Sequence, residues 1–105
     1  MNIRHGDVLI FAAAVQLGAD ATRVPATPRG IVLAEGEVTG HAHRIADVDG
    51  AVLYEWNGGR YLDVVAEGGV TLTHEEHHAV TIPRGLHEIR IQREYSPDGW
   101  RYVAD

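Results

Sequence analysis

The chain has 105 residues, 45% of them hydrophobic and 23% charged, the make-up of one ordinary globular domain. Its net charge of −6 argues against binding long duplex nucleic acid, and no apolar run nears the roughly 20 residues of a membrane-spanning helix. With no cysteine, disulfides, thiolate catalysis and Cys-ligated zinc are excluded, and the expected compartment is the cytoplasm.

Taken in chain order, DVLIFAAAV (Asp7 to Val15) begins as a strand, with alanines that leave a helical end open. Residues 18–29 hold two prolines and little apolar periodicity, and read as a loop. GIVLAEGEV (Gly30 to Val38) is strand-like, with Gly36 marking a bulge or a close approach. HAHRIADV alternates with period two. AVLYEW and RYLDVVA flank Asn57-Gly58-Gly59, a strong hairpin signal. GVTLT and HAVTIP are further strands, and HEIRIQREY and WRYVA flank a second turn at Ser96-Pro97-Asp98-Gly99. Short strands joined by closely spaced turns predict an all-β fold, a small barrel or sandwich filling residues 1–105 as a single domain.

Histidine is the unusual quantity, at seven residues. His5 lies near the N-terminus. His41 and His43 share TGHAHR, and on an extended strand their two-residue spacing aims both imidazoles to one side. His74, His77 and His78 share HEEHH, and His87 follows. HEEHH formally fits the zinc-protease pattern H-E-x-x-H, which needs a helix to bring its histidines together. Here GVTLT precedes it and Pro83 follows closely, so there is no room for that helix. The motif reads instead as a turn between strands.

Three chemistries suit these histidines. A cupin-like metal site would use His41, His43 and His74 or His77, but the spacing around Gly85 and His87 departs from that pattern, and no glutamate follows H-x-H closely. A noncatalytic binding or regulatory module would use the same residues without turnover. Metal-free cleavage of an RNA-type phosphodiester needs an acid, a base and a charge stabiliser around a 2′-hydroxyl nucleophile. Histidine titrates near neutral pH, and arginine forms charge-assisted bonds to phosphate.

LAEGEVTGHAHRI, HEEHHAVTIPRG and QREYSPDG resemble a group of small prokaryotic and phage proteins with a G-E-x-T-G-H-x-H segment. The likeness extends to a CRISPR-associated ring nuclease family. It implies a β-rich homodimer that cleaves cyclic oligoadenylate to linear adenylates with 2′,3′-cyclic phosphate. The absent cysteines, the poor cupin spacing and the setting of HEEHH lead to the expectation of no bound metal or other cofactor. His41, His43 and His77 are the candidate catalytic residues. Thr39, Arg44, His74, His78, Arg84, Gln92, Arg93 and Tyr95 are the candidate ligand-binding residues.

Overall fold

The structure, a computed structural model, describes residues 2–36, 38–96 and 99–102, with side chains described through residue 92. The described residues contain no helix and twelve strands. These are β1 (Asn2–His5), β2 (Val8–Ala12), β3 (Thr22–Val24), β4 (Ile31–Glu35), β5 (Ala42–Ile45) and β6 (Ala51–Trp56), followed by β7 (Gly59–Val64), β8 (Val70–Thr73), β9 (Val80–Ile82), β10 (Gly85–Ile91), β11 (Arg93–Ser96) and β12 (Gly99–Tyr102). The all-β expectation holds.

One sheet has six strands in the order β1-β2-β10-β7-β6-β3, and a second has four in the order β4-β5-β8-β9. All the described pairings are antiparallel. Alternate residues of both sheets meet in one apolar cluster. Ile10, Leu53 and Leu62 come from the larger sheet, and Leu33, Ile45, Leu72 and Ile82 from the smaller. This is sandwich packing, in which each sheet turns one face inward.

The β6–β7 hairpin forms where the Asn-Gly step predicts it, with Trp56 paired to Gly59 across a two-residue turn. Asn57 has φ 49° and Gly58 φ 77°, the left-handed conformations that such a turn requires. Gly69 enters β8 with φ 79°, and a Cβ there would lie 2.4 Å from the Ile82 carbonyl oxygen. Only glycine permits that approach.

Three local expectations are corrected. The loop assigned to residues 18–29 contains β3, which pairs with β6 through Thr22–Glu55, Arg23–Tyr54 and Val24–Leu53. A three-residue edge strand is held by its neighbour's backbone and needs no apolar alternation of its own. The register irregularity of the second sheet lies between Val32 and Ala34, not at Gly36, so Leu33 and Ala34 are both buried. HEIRIQREY is not one strand: β10 ends at Ile91, and the Gln92 N–H donates to the Asp7 carbonyl at 2.7 Å. β11 and β12 pair as the second hairpin, Ser96 opposite Gly99, while Pro97 and Asp98 of its turn lie outside the described residues.

For function, the important junction is at one end of the sandwich. The β1–β2 turn, Gly6-Asp7, comes from the larger sheet. It meets β5 and the 74–79 connection between β8 and β9 of the smaller sheet, because His5 bonds both His43 and the His78 carbonyl.

Candidate metal centre

Three short segments bring five imidazoles together at this junction. His5 closes β1, His41 precedes β5, His43 lies within it, and His74 and His77 occupy the β8–β9 connection. HEEHH forms no helix, as its β-branched flanks require; it bends between two strands and so turns histidines back toward β5. The His74 ring centroid is 4.5 Å from His43, 4.7 Å from His77 and 5.5 Å from His41. His5 lies 5.0 Å from His43 and 5.5 Å from His77.

Burial divides the group. His43 is fully buried, His5 and His74 are nearly so, and His41 and His77 are half-buried. His5 Nδ1 and His43 Nδ1 are 2.8 Å apart. The His5 Nε2 donates to the His78 carbonyl at 3.0 Å, and the His43 Nε2 faces the buried Asp7 carboxylate at 3.1 Å. The Glu76 N–H donates to His74 Nδ1 at 3.0 Å. His41 Nδ1 and His77 Nε2 are shielded from solvent without a hydrogen-bond partner among the described residues.

Glu75 completes the outer part. One carboxylate oxygen accepts the Ala42 N–H at 2.9 Å, and the other lies 3.5 Å from the Arg44 guanidinium. The Ala42 amide is the main reason that its carboxyl stays below the usual range, with smaller contributions from Arg44 and His41. One donor atom each from His41, His74 and Glu75 lies within 4.8 Å of the other two. Burial pushes the His5 imidazole below its ordinary pKa; the bond to the His78 carbonyl opposes this, while charge on His77 and His74 adds to it.

The other expected site residues are more scattered. His78 is exposed and contributes its carbonyl, not its ring. Thr39 is exposed in the turn before His41. Gln92 reaches the junction through its backbone, at Asp7. Arg84 is exposed beyond the far end of β9, and His87 is tied to the Pro83 carbonyl at 2.8 Å, joining none of the imidazole contacts among the described residues. The side chains of Arg93 and Tyr95 lie outside the described residues. A groove of about 460 Å³ is lined by Val15, Leu17, Tyr54 and Leu86 among others, and by no imidazole.

Three participants escape the motif reading: His5, Asp7 and Glu75. The His-Gly-Asp sequence is an unremarkable hairpin turn until the sheet pairing buries it. Glu75 was visible only as part of a helix-based pattern that the flanking strands rule out.

The sequence matches a family described as a domain of unknown function, DUF8820, over residues 4–92. The chain belongs to that family. The DUF8820 match takes in all five contacting imidazoles with Asp7 and Glu75, and it ends at Gln92, just after β10. No curated protein and no solved structure matches the chain.

Proposed function

We propose that this DUF8820 protein binds a divalent transition-metal ion, held by His41, His74 and Glu75. The observation that carries the reading is the convergence of their donor atoms within 4.8 Å, inside a group of five contacting imidazoles. Imidazole with carboxylate suits zinc, iron, copper or nickel better than calcium or magnesium. The supporting contacts fit as well. The Ala42 N–H and Arg44 hold Glu75 ionised and oriented, as outer partners of a ligating carboxylate do. The shielded His41 nitrogen lacks the hydrogen bond that a buried polar atom normally has. Three protein ligands leave open positions, the pattern of a reactive rather than a purely structural site.

His74 sets a condition on loading. Its Nδ1 accepts the Glu76 amide, so an ion at Nδ1 would replace that amide, and an ion at Nε2 would send the ring proton to Nδ1 and break the same bond. Uptake is therefore coupled to the 74–79 turn.

Elemental analysis of protein purified without chelator should find bound zinc or another first-row metal, lost in His41→Gln and His74→Gln. Protein that stays metal-free, with a melting temperature unmoved by zinc, cobalt, nickel, copper or iron, would sink the reading.

A second reading is metal-free phosphodiesterase action on cyclic oligoadenylate. It is favoured by the half-buried His41 and His77 beside the partly exposed Arg44. It is supported less well, because His43 is sealed from solvent and Arg44 is already paired with Glu75. Incubation with cyclic oligoadenylate in excess EDTA separates the two. Linear adenylates with 2′,3′-cyclic phosphate ends would favour this second reading, whereas cleavage that needs added metal would favour the first.

A further inference from the structure

Away from the histidine junction, at the other end of β2, the chain leaves the larger sheet and frames a groove on it. The Ala13 N–H donates to the Leu86 carbonyl at 2.9 Å, which extends the pairing of β2 with β10 by one residue. The 15–21 stretch then lines the groove together with Tyr54, Asp63 and Leu86. These three alternate with the buried Leu53, Leu62, Val64 and His87, so they belong to the face turned away from the core. The stretch is fastened at its far end, where Trp56 Nε1 donates to the Asp20 carboxylate at 2.8 Å. A Cβ on Gly18 would stand 2.6 Å from that carboxylate and 2.9 Å from Trp56 Nε1, so glycine lets the fastening close. The groove it leaves, about 460 Å³, falls within the size range of small-molecule sites.

Most of the lining is apolar, and Asp63 is its one charged side chain. Asp63 stands opposite Val52 on β6 and Leu86 on β10, so an aliphatic neighbour flanks it on each side. Aspartate is poorly suited to a central strand, and neither neighbour can bond it. Among the described residues, neither its half-buried carboxylate nor the Tyr54 hydroxyl has a hydrogen-bond or ion-pair partner. Val15, on the opposite wall, leaves 46% of its surface in water. A carboxylate half-withdrawn from water among aliphatic groups is best satisfied by a cation.

We infer that this groove binds a small organic cation, an amine whose ammonium group pairs with Asp63 and whose apolar body covers Val15, Leu17 and Leu86. Tyr54 adds a hydroxyl acceptor and an aromatic face for the same ammonium. An anion of the same shape meets the carboxylate and is repelled, whereas a neutral molecule leaves Asp63 unpaired. The net charge of −6 favours cations over the whole surface, and Asp63 is what localises one here. No imidazole lines the groove, so this site stands whether or not the histidine cluster takes a metal.

The test is a matched set of three probes, tryptamine, tryptophol and indole-3-acetate. They share an indole and end in an ammonium, a hydroxyl and a carboxylate. Each is titrated into isotope-labelled full-length protein with excess EDTA, and amide shifts in two-dimensional NMR spectra locate the site and give the affinity. Tryptamine should shift the amides of Val15, Leu17, Tyr54 and Asp63, and bind about ten-fold more tightly than tryptophol, the worth of a charge-assisted bond. Indole-3-acetate should bind most weakly. Asp63→Asn should bring tryptamine down to the level of tryptophol and leave tryptophol unchanged. Val15→Ser, at an exposed position, should weaken tryptamine and tryptophol alike, by about three-fold. The spectra themselves show that both variants fold. Equal binding of the three probes, or tryptamine binding that survives Asp63→Asn, would overturn the cation site. So would shifts confined to other parts of the chain, or none with tryptamine at about 10 mM, above the millimolar range of weak binding.

Discussion

Leu53, Leu62 and Leu72 in the middle of the sandwich are as deeply buried as His43 and Asp7 at its end. The two regions differ in what burial leaves over. Between the sheets, apolar side chains from β2, β4, β5, β6, β7, β8, β9 and β10 fill the space and require nothing further. At the end, imidazoles and carboxylates are packed together, and His41 Nδ1 and His77 Nε2 are shielded from solvent without a hydrogen-bond partner among the described residues. Burial of polar groups is unfavourable unless they are satisfied. The core is thus complete in the chain alone, while the histidine end is a site that a ligand would complete.

The largest expected effect tests the core side of this contrast. Leu72→Ala should cost about 2–5 kcal/mol in denaturant unfolding, as deletions from well-packed cores do. That loss should be the same with and without chelator. A loss that disappears on adding zinc would show that the two regions are not separable.

The next effect belongs to the histidine end. Free metal at about 100 times its Kd should stabilise the protein by about 2.7 kcal/mol, and EDTA should reverse the shift. Thermal melts of the wild type and His74→Gln check this, since the variant should show little of the shift.

A smaller effect is the pH dependence of the metal-free protein. His5 has a folded pKa below its ordinary value, so the unfolded chain binds its proton first as pH falls. Stability should therefore decline as pH drops below about 6.5, level off below the depressed folded value, and be unaffected by His5 above that window. His5→Gln should flatten this part of the profile. A wild-type profile unchanged from pH 7 to pH 5 would contradict the burial argument.

The smallest change in stability is expected from Glu75→Gln without metal, because the carboxylate is at the surface and its pairing with Arg44 is water-screened. The metal-induced shift should nevertheless shrink. A large loss of metal-free stability would make Glu75 a structural residue of the turn rather than a ligand.

Much of the fold was legible from local pattern. The period-two run HAHRIADV marked β5, the strand-like runs GIVLAEGEV and GVTLT marked β4 and β8, and Asn57-Gly58 placed the β6–β7 hairpin, because alternation and turn chemistry act between near neighbours. β3 was not legible, since its partner β6 lies about thirty residues on and supplies the ladder. The candidate site was half legible. Histidine pairs at His41/His43 and in HEEHH stood out by density, and both end in one cluster. Arg84 and His87 looked alike in sequence but lie toward the other end of β9.

By itself, then, the sequence determined that the chain is all-β, where several strands turn, and that imidazole is its most concentrated chemical group. Tertiary structure decided which imidazoles meet and what accompanies them. His5 and His43 are 38 residues apart and His5 and His78 73 apart, so their contacts depend on how the β1–β2 turn of one sheet seats against the other. Asp7 is an ordinary turn residue in sequence, and becomes the buried carboxylate facing His43 only when the two sheets close.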